Sequence, residues 1–144
     1  MVELSVRAIH FLGIMLLSAT LFYELVSVSR SITHAQLKKL VWVDAVYGVS
    51  AVIVLTAGAL LWSSFGKPSE FYTKNGIFHL KLAIFVLIGL LSIVPTWFFL
   101  KNRKSIEANI DVPSYVVYIV RLEAILLLAI PLLAVLMAHG VGLK

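Results

Sequence analysis

Two histidines stand early in long apolar stretches of this chain, and they are the side chains best suited to hold a ligand. His10 lies in "RAIHFLGIMLLSATLFYE" and His79 lies in "NGIFHLKLAIFVLIGLL". Ionisable residues are rare in membrane-spanning segments because burying them in lipid is costly, so they usually have a partner or a function. Two facing imidazoles could clamp a haem iron, coordinate another metal ion or relay protons.

Helical spacing predicts what lies beside each histidine. Gly13 follows His10 on the same helix face, so we expect space beside the imidazole for a flat ligand. The same spacing predicts that His79 faces the interior of the bundle and that Lys81 points away from it. Lys81 is expected to reach the lipid headgroups or to bind a carboxylate, and Arg7 is an equal candidate for the second role.

A second group of polar residues is expected in the inner half of the membrane. It contains one cation, three acids and a tyrosine: Glu24, Asp44, Tyr47, Arg121 and Glu123. Because Arg121 is the only cation among three acids, the sequence predicts a buried ion-pair network around it. This network is predicted to have a structural role, and a path for protons is the alternative.

The composition indicates that these residues are positioned by membrane-spanning helices. Of the 144 residues, 61% are hydrophobic and 13% are charged, whereas a soluble domain is about half apolar and about a quarter charged. The chain has no cysteine, which excludes disulfides, thiolate metal sites and cysteine-based catalysis. The net charge of +5 comes mainly from short connectors, so no nucleic-acid partner is expected.

A helix needs about 20 apolar residues to cross the hydrocarbon layer, and four segments qualify: 4–28, 41–64, 76–100 and 114–138. The short connectors between them predict antiparallel neighbours. The predicted fold is all-α, a single integral membrane domain built as a four-helix up-down bundle. Basic residues are concentrated in the first and third connectors, which predicts that these connectors are cytoplasmic and that both termini lie outside.

The segments that carry the histidines resemble known families. "RAIHFLGIMLLSATLFYE" and "NGIFHLKLAIFVLIGLLSIVPTWFFL" resemble HemJ-type protoporphyrinogen oxidases. A closer resemblance is to uncharacterised bacterial four-span proteins with a similar "LVWVDAVYGVSAV" segment and the same "NGIFHLKL". Both groups look related to CopD-like membrane proteins.

The resemblance covers about residues 6–100 and implies a haem b with His10 and His79 as axial ligands, in a bacterial inner membrane. HemJ-type proteins carry an arginine-containing "LPR" stretch where this chain reads "LFYELVSVSR". Glu24 at that place argues against porphyrinogen oxidation but leaves the haem implication intact.

The leading prediction is therefore a small b-type cytochrome, active in electron transfer or in redox chemistry on a lipid-soluble quinone or porphyrinogen. If the protein is an enzyme, we expect an oxidoreductase. One alternative is a transporter or metal-ion-handling protein without haem, in which Glu24, Asp44 and Glu123 line an inner path. Another is a non-catalytic membrane assembly subunit. Membrane lipid is an expected partner. The two histidines are expected to hold the haem near the outer face, and the sequence leaves open a homo-oligomer and a role for His139 in that site.

Overall fold

Four helices of the computed structural model, which describes residues 1–142, are long and apolar enough to cross a membrane. They are α1 (Val2–Ser27), α2 (His34–Leu60), α4 (Gly76–Asn102) and α5 (Ser114–Ala138). A π-helical turn, Leu61–Phe65, continues α2, and the short helix α3 (Ser69–Thr73) follows it. The predicted all-α membrane bundle is confirmed. The second span begins at His34 rather than at residue 41, because the basic residues before the apolar stretch are also helical.

The four long helices form a closed ring. Helix α1 packs against α2 and α5, and α4 packs against α5 and α2, so α1 and α4 lie diagonally opposite each other. Gly13 allows α1 to approach α2 closely, since a Cβ at this position would lie 3.0 Å from Cγ2 of Val54 and 3.2 Å from Cγ2 of Ile53. Small residues have this role in many membrane helix pairs. The space expected beside Gly13 for a ligand is therefore occupied by α2, and that expectation is wrong.

A two-stranded antiparallel sheet joins the first and third connectors. Strand β1 (Ser31–Thr33) pairs with β2 (Asn109–Asp111). Thr33 also starts α2 through a capping box, in which its Oγ1 accepts a hydrogen bond from the backbone N–H of Gln36 and the Gln36 side chain accepts one in return. Such reciprocal caps satisfy backbone donors that a helix start leaves free. The sheet and the cap fix this end of the bundle, which we call the connector end.

Buried apolar side chains form two clusters along the bundle axis. The cluster at the connector end, here the connector-end cluster, comprises Val28, Ile32, Leu37, Leu40, Phe99, Ile110, Val112, Val116 and Val117. The second, here the mid-bundle cluster, comprises Leu17, Leu21, Tyr47, Ile88 and Val120. Glu24 and Asp44 lie between residues of these two clusters along their helices, whereas Glu123 follows Val120 of the mid-bundle cluster.

The opposite end of the bundle is closed by the C-terminal segment. Asn75 caps α4 by accepting a hydrogen bond from the backbone N–H of Ile77 (2.9 Å), and its side-chain amide donates to the carbonyl of Val141 (3.1 Å). The backbone N–H of Gly76 donates to the carbonyl of Gly142 (3.0 Å). The end of the described chain is thus tied to the start of α4.

Candidate functional site

Three carboxyl groups from three helices meet in the interior of the bundle. Glu24 of α1, Asp44 of α2 and Glu123 of α5 are 1%, 6% and 0% exposed, and they lie close enough to interact electrostatically. Carboxyl groups inside a membrane bundle are costly and commonly mark proton or ion pathways. We call these three residues the acid cluster.

Hydroxyl groups hold two of the three carboxyls. The Tyr47 hydroxyl donates a hydrogen bond to Oε2 of Glu123 (3.3 Å), and Oγ1 of Thr96 in α4 donates to Oδ1 of Asp44 (2.9 Å). All four long helices therefore contribute to the site. Oε1 of Glu24 and Oε1 of Glu123 are buried and have no hydrogen-bond partner among the residues that the structure describes. These two oxygens are fully buried positions in the cluster that can take up a proton or a cation.

Arg121 does not belong to this cluster. Its side chain is on the exposed face of α5, with the guanidinium 5.9 Å from the centre of the Tyr118 ring. Residues two apart on a helix are separated by about 200° around the axis, so Glu123 faces inward where Arg121 faces outward. Within residues 1–142, the only ion pairs join Arg7 to Glu3 and Lys74 to Glu70. The predicted network around Arg121 is wrong, whereas Glu24, Asp44, Tyr47 and Glu123 are brought together.

The acid cluster therefore has no basic partner in the described chain. Several like charges in a buried site repel one another strongly because little water screens them. Protons or a bound cation must compensate that charge. No three histidine, aspartate or glutamate side chains within residues 1–142 are arranged to hold a metal ion. The arrangement suits a proton best.

Residues of the two buried clusters stand on both sides of Glu24 and Asp44 along the bundle axis. In α1, Glu24 stands between Val28 of the connector-end cluster and Leu21 of the mid-bundle cluster. In α2, Asp44 stands in the same way between Leu40 and Tyr47. Glu24 and Asp44 are thus enclosed along the axis, and proton exchange between these two groups and either end of the bundle requires one of these layers to open.

His10 lies in the other half of the bundle and is half-buried. Its Nδ1 is 3.0 Å from the carbonyl oxygen of Val54, and a Cβ at Gly58 would lie 3.1 Å from its Cε1. Because a carbonyl oxygen only accepts, Nδ1 carries the proton and Nε2 of the neutral ring keeps its lone pair. Lys81 is also half-buried, within electrostatic range of this imidazole. The expectation that Lys81 points away from the interior is wrong.

His79 lies on the exposed face of α4. Its Nε2 donates a hydrogen bond to the carbonyl oxygen of Thr73 (2.8 Å). The expectation that it faces the interior is also wrong, because α4 is apolar on all sides and its spacing does not identify the buried face. The structure therefore does not bring His10 and His79 together.

The remaining candidates in the half of the bundle that contains His10 are engaged near their own positions. Arg7 is paired with Glu3 at 2.6 Å, and His139 bonds through Nδ1 to the carbonyl oxygen of Val135 at 2.9 Å. Sequence reasoning missed Thr96, whose only signal was a hydroxyl in an apolar span beside Pro95. Haem binding itself stays a prediction.

The comparisons with known proteins identify a family and nothing more specific. A search of curated proteins and a search of solved structures found no match. They lend no support to the resemblance to HemJ-type or CopD-like proteins, whereas the expected membership in an uncharacterised membrane family is confirmed. The family model described as "Predicted membrane protein (DUF2214)" matches residues 2–142. The chain belongs to this family of membrane proteins.

Proposed function

We propose that the protein carries protons in the membrane through the acid cluster, as a small proton-translocating or proton-coupled carrier. One observation carries this proposal: three carboxyl groups on three helices are enclosed together with no basic partner among the described residues. Such a cluster binds protons when it is enclosed and releases them when water reaches it.

The hydrogen bonds assign a part to each side chain. Tyr47 holds Oε2 of Glu123, which leaves Oε1 as the oxygen that takes up the proton. Glu24 offers a second free oxygen, and a proton that leaves one of these carboxyl groups passes to the carboxylate of the other. Thr96 fixes the orientation of Asp44. Only protons move in this scheme, and no group is oxidised or reduced.

A flux measurement in liposomes tests the proposal. Purified protein is reconstituted into vesicles, a membrane potential is imposed, and a pH-sensitive dye reports the proton flux. Glu24→Gln and Glu123→Gln should each lower the flux by about tenfold or more, because a carboxamide cannot carry the proton. Glu107→Gln is the matched control, since Glu107 is an exposed acid in the third connector, and its flux should equal that of the wild type. Wild-type vesicles no more permeable to protons than empty ones would refute the proposal.

Haem binding is the second candidate, and one observation favours it. Metal-ligating histidines usually donate their other ring N–H to a carbonyl or carboxylate, and His10 is held in this way by Val54. The fit is partial, because His79 is exposed on the diagonally opposite helix. His10 would be the ligand, and the haem would supply electron-transfer chemistry when bound.

The absorption spectrum of the purified protein tests this candidate. A haem protein shows a Soret band, and His10→Ala should abolish or shift it. His139→Ala is the control, because His139 is exposed and bonded within its own helix. A colourless preparation from haem-sufficient cells would exclude haem, and a spectrum unchanged by His10→Ala would exclude His10 as the ligand.

A further inference from the structure

The connector end of the bundle carries an excess of unpaired basic side chains. Six lie in or beside the two connectors: Arg30, Lys38, Lys39, Lys101, Arg103 and Lys104. Both ion pairs of the described chain, Arg7–Glu3 and Lys74–Glu70, lie at the opposite end. None of the six therefore has a salt-bridge partner within residues 1–142. This end presents positive charge at the level of the lipid headgroups.

A shallow, mostly apolar cavity between α1 and α2 lies beside two of these lysines. It has a volume of about 470 Å³ and is lined by Tyr23, Lys38, Lys39, Trp42 and Val43. Trp42 is 75% exposed, as aromatic side chains at the boundary between headgroups and hydrocarbon commonly are. The two lysines lie one turn before it in α2, on the headgroup side. The cavity thus combines an aromatic, apolar wall with two exposed lysines at its edge.

We propose that this cavity binds the headgroup of an anionic phospholipid. The phosphate would lie between the ammonium groups of Lys38 and Lys39, which supply donors and opposite charge. Trp42 and Tyr23 would flank the glycerol region, where amphipathic rings are favoured. The site is distinct from the acid cluster and does not depend on proton transport.

The surroundings of the cavity favour a lipid over a soluble phosphate. On the membrane side of Trp42, the outward face of α2 continues with Ala45 and Val49, both exposed. An acyl chain can lie along this apolar face while its headgroup stays at the lysines. A free phosphate ion would contact only the charged rim and would gain nothing from the aromatic wall.

Quenching of Trp42 fluorescence by lipids with brominated chains tests the proposal. The chain has three tryptophans, so a Trp62→Phe/Trp97→Phe background leaves Trp42 as the reporter. In detergent micelles, brominated phosphatidylglycerol should quench Trp42 at about a tenfold lower mole fraction than brominated phosphatidylcholine does. Lys38→Gln/Lys39→Gln should remove this preference. Arg103→Gln/Lys104→Gln removes the same charge from the same end, outside the cavity, and should retain the preference.

Three outcomes would overturn the proposal. Equal quenching by the two lipids would show that the cavity does not recognise charge. An equal loss of the lipid preference in both double variants would show that the connector end attracts anionic lipid in general and has no specific site. Relief of the quenching by inorganic phosphate would assign the lysines to a soluble anion. Native mass spectrometry with all three tryptophans present provides a second measurement: the wild type should retain phosphatidylglycerol and Lys38→Gln/Lys39→Gln should lose it, whereas equal retention would contradict the site.

Discussion

The hydroxyl of Tyr47 on α2 donates a hydrogen bond to Oε2 of Glu123 on α5, and both side chains are buried, at 3% and 0% exposed. The other carboxylate oxygen of Glu123 has no partner in the described chain, so this bond is the one that steadies the carboxyl group. It also links two helices across the ring. The pair therefore connects the stability of the bundle to the orientation of the acid cluster.

Tyr47→Phe should lower the free energy of unfolding by about 1 kcal/mol, because it removes this bond and leaves a buried carboxyl group without a donor. Reversible unfolding in mixed detergent micelles measures the change. Tyr118→Phe is the control, since Tyr118 is 66% exposed on the same bundle, and its stability should equal that of the wild type. Equal changes in the two variants would contradict a specific role for the Tyr47 bond.

Replacing Glu24 by an apolar residue should stabilise the protein while it impairs proton flux. Glu24 is 1% exposed and its Oε1 has no hydrogen-bond partner in the described residues, so the acid is retained at a cost to folding. We expect Glu24→Leu to raise the free energy of unfolding by about 1 kcal/mol or more. The liposome assay should show the loss of flux in the same variant.

A neighbouring core position provides the contrast for that experiment. Leu21 lies one turn from Glu24 and is 1% exposed. Leu21→Ala should lower the free energy of unfolding by about 2 kcal/mol or more, because it leaves a cavity in the mid-bundle cluster. A Glu24→Leu variant that unfolds as easily as Leu21→Ala would show that Glu24 stabilises the fold.

The sequence was sufficient to predict the membrane spans and the buried face of α1. Hydropathy placed α1 and α5 within two residues of their observed bounds, because a helix must be long and apolar to cross lipid. The face of α1 with Gly13, Leu17 and Glu24 is buried as expected, since polar and small residues there mark the interior.

The third span shows where that reasoning fails. Its spacing predicted His79 inside and Lys81 outside, whereas in the structure His79 is exposed and Lys81 is half-buried. In lipid the outward side of a helix is as apolar as the inward side, so α4 carries no hydrophobic signal for its buried face. Only packing against α2 and α5 decides it. The three-residue strands β1 and β2 were missed for a related reason, because their pairing depends on residues that are far apart in the chain. Ile32 pairs with Ile110, which is 78 residues away. The pairs on either side, Ser31↔Asp111 and Thr33↔Asn109, are separated by 80 and 76 residues.

Gly142→Ala should destabilise the end of the bundle that the C-terminal segment closes. Gly142 has a φ of +85°, and a Cβ there would lie 2.9 Å from both Oδ1 of Asn75 and Cγ1 of Ile77. The left-handed backbone and the close approach together should cost about 1–3 kcal/mol. Amide hydrogen exchange at the start of α4 should speed up, because the segment also accepts the hydrogen bond of the Gly76 N–H.

Gly76→Ala is the matched control for this experiment. A Cβ at Gly76 would have no neighbour within 4 Å, and the residue is the first of α4. Alanine is favoured over glycine in helices, so the variant should be at least as stable as the wild type. If Gly142→Ala were also neutral, the contact between the C-terminal segment and Asn75 would not contribute to stability.

A disulfide between Ser31→Cys and Asp111→Cys should form readily and lock the connector end. The backbone N–H of His34 donates to the carbonyl of Ala108, and that of Val112 donates to the carbonyl of Arg30. Arg30 and Val112 therefore form a hydrogen-bonded pair. Because hydrogen-bonded and non-hydrogen-bonded pairs alternate in an antiparallel ladder, the next pair, Ser31 and Asp111, is non-hydrogen-bonded. The side chains of such a pair lie closer together than those of a hydrogen-bonded pair. Both positions are exposed to oxidant.

The wild-type chain has no cysteine, so no other thiol can compete for the bond. Oxidation should raise the free energy of unfolding by about 2 kcal/mol or more, because the cross-link restricts the unfolded chain between the two strands. Unfolding before and after reduction measures this gain, and Ser31→Cys alone should show none. Failure of the double variant to cross-link under oxidising conditions would contradict the strand register. A normal cross-link would confirm that the sheet joins the first and third connectors in the register that pairs Ser31 with Asp111.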